Sequence, residues 1–332
     1  ASLRNWGFTN IHTVPEQSIP NGDFPTVASA NPEEPAAFKM ALDLARKIDA
    51  DLAMACDPDG DRIGIAVKND AGEWTLLNGN QTNIIFTEYI IRRKKELNQL
   101  KGGEYTVKTI VTTELIKDIA EKNHIICYDV YTGFKWIADI IRKEGGEKFI
   151  GGGEESFGYM PGAFTRDKDG VSATSLMAEI AAWVKMQNKT LYSFLKEIYA
   201  KYGFSQERMI YIVRKGLSGA QEIKAMMEEF RHNTPKEINH SPVVLKKDYL
   251  SLEATNLQTG EKTHLDFETK SDVLQFFLAD GSKISVRPSG TEPKIKFYFE
   301  ARTQMKDIND YERAQQEANA RIDAIIEYLK IQ

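Results

Sequence analysis

The acidic stretch at residues 57–62, DPDGDR, has the residue types and the spacing to bind a metal ion. Its three aspartates stand at alternate positions in a turn that also contains proline and glycine. Three carboxylates this close repel one another unless a cation lies between them, and hard oxygen donors suit Mg²⁺ or Ca²⁺. A solvated acidic turn is the simpler alternative. Because Arg62 follows directly and apolar runs lie on both sides, we predict a metal site with Asp57, Asp59 and Asp61 as ligands.

The flanking runs at residues 51–56 and 63–67 are predicted to be short buried strands, so the acidic turn projects from the end of a sheet. A calcium-binding EF-hand needs Gly at its sixth and Glu at its twelfth position, where this chain has Arg62 and Lys68. An aspartyl phosphatase is a weaker alternative, since partner motifs are not evident. Arg62 can brace the carboxylates and face an anionic oxygen. The stretch therefore predicts charge neutralisation during phosphoryl transfer.

A second glycine-bounded turn, GEESFG at residues 153–158, places an acid and a hydroxyl two positions apart. These residues are Glu154 and Ser156. A carboxylate has two oxygens in one plane and can accept hydrogen bonds from two vicinal hydroxyls, as sugar recognition requires. A helix start with a Ser or Glu cap is the alternative interpretation.

A third loop, RPSGTEPK at residues 287–294, combines one guanidinium, two hydroxyls and a glycine that leaves backbone N–H groups open. Those groups can together cradle a phosphate. A polar hairpin loop is the alternative.

The elements between these loops alternate between strand and helix patterns up to Tyr202-Gly203, which predicts α/β architecture with parallel pairing. Strand patterns with flanking helices then predict a separate α+β domain. The glycines at 102 and 103 suggest a linker. We therefore predict three domains, at residues 1–100, 101–204 and 205–332.

The composition is that of an ordinary globular protein, with 332 residues, 42% hydrophobic residues and a net charge of -5. The acidic balance argues against a dominant nucleic-acid surface, and no apolar run reaches the ~18 residues of a membrane span. We expect neither nucleic acid nor a membrane as partner. Cys56 and Cys127 lie in apolar runs and are predicted to be buried free thiols of a cytoplasmic protein.

The three loops, in this order, resemble those of the phosphoglucomutase/phosphomannomutase family of α-D-phosphohexomutases. The four domains of that family supply in turn a phosphoserine, a D-x-D-x-D-R metal loop, a G-E-E-S-F-G sugar loop and an R-x-S-G-T phosphate loop. The resemblance begins at about residues 24–26, FPT. It implies two mixed α/β phosphohexomutase-type domains, the first incomplete, followed by a smaller α+β carboxyl-terminal domain.

The resemblance also implies roles for individual residues. Mg²⁺ would be held by the three aspartates, with Arg62 beside it, and the 3- and 4-hydroxyls of the sugar by Glu154 and Ser156. The residues implied for the phosphate that is not transferred are Arg287, Ser289, Gly290 and Thr291.

Two further segments carry implied roles in substrate binding. Residues 132–135, TGFK, resemble the loop that senses which way round the sugar lies, through Thr132, Gly133 and Lys135. Lys168 resembles a phosphate-side lysine of the glucose-type members.

The implied reaction interconverts hexose 1-phosphate and hexose 6-phosphate through a phosphoserine and hexose 1,6-bisphosphate. The family places its serine in a T-A-S-H-N-P-like stretch, which this sequence does not contain. Residues 27–32, VASANP, include S-x-N-P, but Ala30 replaces the histidine and the segment resembles the F-P-T-V…N-P-E segment of the family. We interpret Ser29 as a decoy.

We therefore expect this chain to be the carboxyl-terminal portion of a longer phosphohexomutase that lacks the phosphoserine domain. It should bind hexose phosphates, with glucose phosphates as the expected substrates and mannose or pentose phosphates as the alternatives, and be inactive alone. Its partner would be the missing amino-terminal domain of the same protein. The alternative is a serine-less phosphosugar-binding module without catalysis.

Overall fold

A computed structural model describes residues 1–214, 216–290 and 293–331, with only the backbone at position 217. The chain divides into two units, Ala1–Tyr202 and Gly203–Gln332. This division falls two residues before the predicted start of the last domain at 205. No helix in the described part of the chain is both long enough and apolar enough to cross a membrane.

The first unit contains two sheets and their helices. Short 3₁₀ turns lie at Pro15–Gln17, Pro35–Phe38 and Gly146–Lys148. The remaining elements are, in chain order, α1 (Ser2–Asn5), α2 (Lys39–Lys47), β1 (Leu52–Cys56), β2 (Ile63–Lys68), β3 (Trp74–Leu77), α3 (Gly79–Glu96), β4 (Tyr105–Thr109), α4 (Leu115–Lys122), β5 (Ile126–Val130), α5 (Phe134–Glu144), β6 (Phe149–Gly153), β7 (Tyr159–Met160), α6 (Gly170–Lys185) and α7 (Leu191–Tyr202).

The first sheet has the order β1-β2-β3, and its strands pair antiparallel. The acidic turn is the hairpin connection that brings Cys56 opposite Ile63. Six residues are too few for the crossover that parallel strands need. The predicted parallel pairing therefore does not extend to this sheet, whereas the predicted strand–turn–strand is present. Phe38 and Ala45 pack against Ala53 and Ala66 to form its core.

The second sheet has the order β5-β4-β6-β7, and β4 pairs parallel with both β5 and β6. Its core includes Val107, Val130, Ile137 and Phe149, which α5 and the strands bury together. This is the predicted α/β arrangement, and it directs the loops after β4, β5 and β6 towards one edge of the sheet.

Helix α3 packs against β6, α4 and α7, so it belongs with the second sheet. We predicted the boundary after it, at residue 100, because Gly102 and Gly103 resemble a linker. Those glycines instead form the loop between α3 and β4. A capping box at Asn78, with the Gln81 side chain accepting from the Asn78 N–H, begins the helix. We propose that the domain boundary lies just before Asn78.

The second unit contains one sheet and two helices in the residues that the structure describes. A 3₁₀ turn lies at Ile308–Asp310. The other elements are β8 (Phe204–Val213), α8 (Gly216–His232), β9 (Glu237–Ile238), β10 (Ser241–Asp248), β11 (Glu253–Asn256), β12 (Lys262–His264), β13 (Leu274–Leu278), β14 (Lys283–Pro288), β15 (Lys294–Thr303) and α9 (Tyr311–Tyr328). The sheet is antiparallel, of order β12-β11-β10-β13-β14-β15-β8, and β9 also pairs with β10. Helix α8 packs on β14 and β15, and α9 packs on β15 and β8.

Both cysteines are free, but the prediction that both are buried is wrong. Cys56 is exposed because it is the last residue of β1, which is an edge strand of its sheet. Cys127 is half-buried in β5, and desolvation raises the pKa of its thiol to about 12. Asp280 and Gly281 lie in the hairpin turn between β13 and β14, with Gly281 at φ +84°.

Candidate functional site

The acidic turn at 57–62, called the metal loop below, is shaped by its own first aspartate. One carboxylate oxygen of Asp57 accepts hydrogen bonds from the backbone N–H groups of Asp61 and Arg62, both at 3.1 Å. Gly60 has φ +69°, a left-handed conformation that favours glycine. The sequence therefore folds into a tight turn in which the side chains at 57, 59 and 61 converge.

The three aspartates of the metal loop each offer a carboxylate oxygen within 4.8 Å of the others. Asp59 is exposed, and Asp57 and Asp61 are half-buried. Oδ1 of Asp61 is inaccessible to solvent and has no hydrogen-bond partner among the residues that the structure describes. An unpartnered buried oxygen beside two other carboxylates fits a hard divalent cation such as Mg²⁺.

Two cations and a fourth carboxylate surround the metal loop. The Arg62 guanidinium lies 3.4 Å from Glu33 and 3.7 Å from Asp57. On the other side, the Lys168 ammonium lies 2.9 Å from Oδ2 of Asp61. Four carboxylates against two cations leave a negative surplus of two charges, which one divalent ion would balance. Glu33 was not predicted as a site residue, because its only signal was its place in the N-P-E segment.

The loop at residues 153–158, called the sugar loop below, presents Glu154 as a buried carboxyl group. Glu154 is 8% exposed, and its side chain accepts a hydrogen bond from the backbone N–H of Gly133. Burial, and then the neighbouring charge of Glu155, raise the pKa of Glu154 from 4.5 to about 7. This carboxyl group therefore changes its charge close to neutral pH. The predicted sites at Glu154 and Gly133 are thus in direct contact.

Helix α3 contacts the sugar loop through Asn83 and Gly79. The Asn83 side-chain amide donates to the carbonyl of Glu154 at 2.9 Å and to that of Gly79 at 2.7 Å. A Cβ at Gly79 would lie only 2.0 Å from the carbonyl oxygen of Glu155. The sequence motifs assigned no role to Asn83 or Gly79.

Two threonines after β4 fix the second glutamate of the sugar loop. The hydroxyls of Thr109 and Thr112 lie 3.2 and 3.3 Å from Oε2 of Glu155, and Thr112 also accepts from its backbone N–H. Glu155 is thus held within the protein framework. Of the two consecutive glutamates, Glu154 is the one that faces α5.

An isolated antiparallel backbone bridge between Arg62 and Gly158 joins the metal loop to the sugar loop, and further backbone hydrogen bonds lie beside it. The N–H of Ile63 donates to the carbonyl of Phe157 at 3.1 Å, and the N–H of Gly170 donates to that of Gly60 at 3.0 Å. Phe157 has φ +67°, an uncommon conformation for a bulky residue that marks local strain. A Cβ at Gly170 would lie 2.7 Å from the Gly60 carbonyl oxygen, so only glycine permits this approach. The two loops therefore share one framework.

The other residues predicted to bind the sugar are in the sugar loop and in the segment at residues 132–135. Thr132 and Ser156 are half-buried. Gly133 precedes the first residue of α5, and Lys135 is exposed with its ammonium 4.9 Å from the centroid of the Trp136 ring.

The predicted phosphate loop belongs to the second unit. Arg287 stands near the end of β14, opposite Lys296 of β15, and the N–H of Ser289 donates to the carbonyl of Lys294 at 2.8 Å. Gly290 is exposed, and Thr291 lies outside the described residues. A cavity of about 210 Å³ adjoins the loop, with Met227 and Ser289 in its wall.

The fold defines the class of this protein, because its units are built as domains of the phosphohexomutase fold. Models described as phosphoglucomutase/phosphomannomutase match alpha/beta/alpha domain II at residues 1–72, alpha/beta/alpha domain III at 78–202 and the C-terminal domain at 222–322. The chain belongs to the phosphoglucomutase/phosphomannomutase family.

Individual relatives agree with this membership. The chain is 36% identical over 321 residues to the phosphoglucomutase of Staphylococcus aureus strain MRSA252, which is 96% of this chain and 56% of that protein. It is 36% identical over 297 residues to the phosphoglucomutase of strain USA300, or 89% of this chain and 53% of that one. The chain thus spans about half the length of these relatives.

Solved structures share the fold. The open form of the Paramecium phosphoglucomutase pp63/parafusin has a TM-score of 0.60 at 18% identity, over 88% of this chain and 49% of that chain. A Thermus thermophilus putative phosphomannomutase has a TM-score of 0.53 at 19% identity, over 89% of this chain and 51% of that chain.

Proposed function

We propose that this chain supplies the metal-, sugar- and phosphate-binding parts of a phosphohexomutase that interconverts hexose 1-phosphate and hexose 6-phosphate. Family membership supports the reaction class. The observation that carries the proposal is the shared framework of the metal loop and the sugar loop, which sets a carboxylate cluster beside a buried glutamate. Glucose phosphates are the proposed substrates, with mannose phosphates as the alternative.

The metal loop would hold Mg²⁺ through Asp57, Asp59 and Asp61. Bound there, the ion would neutralise charge on the phosphoryl oxygens during transfer. The chain's own contribution is to fix these carboxylates, since Asp57 ties the turn and Arg62 is braced between Asp57 and Glu33.

The sugar loop would grip two hydroxyls of the hexose through Glu154 and Ser156. Binding of the 3- and 4-hydroxyls suits a substrate that must reorient between two phosphoryl transfers, because both hydroxyls can be bound in either orientation of the sugar. Glucose and mannose differ at C2, so this grip does not separate them. Arg287, Ser289 and Gly290 would hold the phosphate that is not transferred.

The proposal takes the nucleophile to be a phosphoserine outside these 332 residues, in an amino-terminal domain of the same protein. Its basis is that no T-A-S-H-N-P-like stretch occurs in the sequence. The free thiols Cys56 and Cys127 suit a reducing, cytoplasmic compartment. A serine-less phosphosugar-binding module is the second candidate, because it requires the same loops and no nucleophile.

Binding and turnover measured on the same chain test the proposal. We expect calorimetry with glucose 1,6-bisphosphate and Mg²⁺ to detect binding, while conversion of glucose 1-phosphate stays at background. The Ser29→Ala variant should behave identically. Absence of binding contradicts the proposed site, and turnover that Ser29→Ala abolishes contradicts the external nucleophile. Turnover of glucose 1-phosphate by the protein translated from the full reading frame would favour the mutase over the phosphosugar-binding module.

The Asp59→Asn substitution should weaken divalent metal binding by about ten- to a hundredfold, because it removes one of three converging carboxylates. Asp59 is exposed, so the free energy of unfolding should change by less than about 0.5 kcal/mol. Mn²⁺ titration followed by electron paramagnetic resonance measures the affinity. Asp23→Asn, at another exposed aspartate, is the matched control and should leave it unchanged. If Asp59→Asn and Asp23→Asn bind Mn²⁺ with equal affinity, Asp59 is not a ligand of the metal ion.

A further inference from the structure

Lys168 is paired with one oxygen of Asp61, the third carboxylate of the metal loop. Its ammonium lies 2.9 Å from Oδ2 of Asp61, and its side chain is only 20% exposed. The second oxygen of the same carboxylate is buried without a hydrogen-bond partner in the described part of the chain. Asp61 is therefore neutralised on one side only, by a cation that belongs to the protein.

The stem of Lys168 packs against the sugar loop, and its charged end reaches Asp61. A Cβ at Gly158 would lie 2.8 Å from Cδ of Lys168, so the stem packs closely against the sugar loop. The ammonium lies 5.9 Å from the centroid of the Phe134 ring, a distance at which a cation and an aromatic face attract. Rotation about the last carbon atoms can therefore move the charge without moving the stem.

The two basic residues of this region face different partners. Arg62 is paired with Glu33 and Asp57, whereas Lys168 is paired with Asp61. A divalent ion and an ammonium both seek the oxygens of Asp61, so their binding there is competitive. A metal ion bound by Asp61 would weaken the pairing of Lys168 with that carboxylate and leave the ammonium available to an anionic ligand.

We propose that Lys168 is an internal counter-cation of the metal loop, which lowers the affinity for divalent metal until an anionic ligand draws its ammonium away from Asp61. The inference rests on the proposed function, since it regulates the metal site proposed there. By linkage, the phosphate ligand must raise metal affinity by the same factor by which metal raises phosphate affinity. The pairing of Lys168 with Asp61 would therefore favour binding of metal and phosphosugar together over binding of metal alone.

Mn²⁺ titration of the ligand-free chain, followed by electron paramagnetic resonance, tests the proposal. Lys168→Met keeps the length of the stem and removes the charge, and it should bind Mn²⁺ about tenfold more tightly than the wild type. Lys168→Arg keeps a competing cation and should bind like the wild type. Adding glucose 1-phosphate should tighten Mn²⁺ binding in the wild type and much less in Lys168→Met.

Two controls separate direct competition from a general effect of charge. Lys185→Met removes a lysine of α6 that pairs with Asp51, before the start of β1, and should leave Mn²⁺ affinity unchanged in 0.1 M KCl. In an Asp61→Asn background, Lys168→Met should have no further effect. Unchanged or weaker Mn²⁺ binding by Lys168→Met overturns the proposal. Absence of Mn²⁺ binding in the wild type and in Lys168→Met alike overturns the proposed metal site itself.

Discussion

Replacing Glu154 with glutamine is expected to stabilise the ligand-free chain at pH 8 by about 2–3 kcal/mol. The pKa of Glu154 is raised to about 7 in the folded protein from 4.5, so the folded state binds this proton more strongly than the unfolded state does. The stability that this group contributes is complete below about pH 4.5 and is lost as the pH rises through about 7. Glutamine stays neutral, and its oxygen can still accept from Gly133.

Urea unfolding at pH 5.5 and pH 8.0 measures this effect, and the advantage of the variant should be about twice as large at pH 8.0. Glu147→Gln changes an exposed glutamate and should alter stability by less than about 0.5 kcal/mol at either pH. The same Glu154→Gln variant should bind glucose 1,6-bisphosphate at least about tenfold more weakly, since charge-assisted hydrogen bonds become neutral ones. If Glu154→Gln is stabilised equally at both pH values, the pKa of Glu154 is not raised by folding.

Gly79→Ala is expected to destabilise the chain by about 3 kcal/mol or more and to displace the sugar loop. The added Cβ would lie 2.0 Å from the carbonyl oxygen of Glu155 and 2.8 Å from the backbone N of Phe157. Both atoms belong to the backbone, so the overlap can be relieved only by separating α3 from the loop. Helix propensity would by itself favour alanine at this first position of α3, so a loss of stability reports the contact.

Urea unfolding gives the stability, and limited proteolysis at residues 154–158 reports displacement of the loop. Gly22→Ala is the control, because a Cβ there meets nothing within 4 Å. If Gly79→Ala unfolds within about 0.5 kcal/mol of the wild type, α3 does not hold the sugar loop in the way described.

Local patterns predicted those parts of the fold that depend on neighbouring residues. The metal loop was recognised because two apolar runs flank three alternating aspartates, and both runs form strands. The change of architecture near Tyr202-Gly203 was visible because strand patterns begin to cluster there. The place of α3 was missed, because a glycine pair after a helix resembles a linker and only packing shows which sheet the helix covers.

The contacts that organise the site were beyond sequence patterns, because they join residues far apart in the chain. Lys168 meets Asp61 across more than a hundred positions, and Asn83 reaches the carbonyl of Glu154 over 71 positions. The motifs indicated which residue types bear chemistry. They did not indicate that Glu155 is hydrogen-bonded to Thr109 and Thr112 while Glu154 contacts Gly133, since nothing in the sequence distinguishes two consecutive glutamates.

The metal loop is also the hairpin connection between β1 and β2, and this limits how the site can be re-engineered. One residue inserted between Cys56 and Ile63 would either enlarge the turn that Asp57 ties or shift the pairing of β1 and β2 by one residue, which would exchange the two faces of β2. A shift of the pairing would also disturb the hydrogen bond from Ile63 to Phe157. Attempts to change the ion preference of this loop should therefore replace its side chains and keep its six residues, because a change in the length of the loop disturbs the strand pairing.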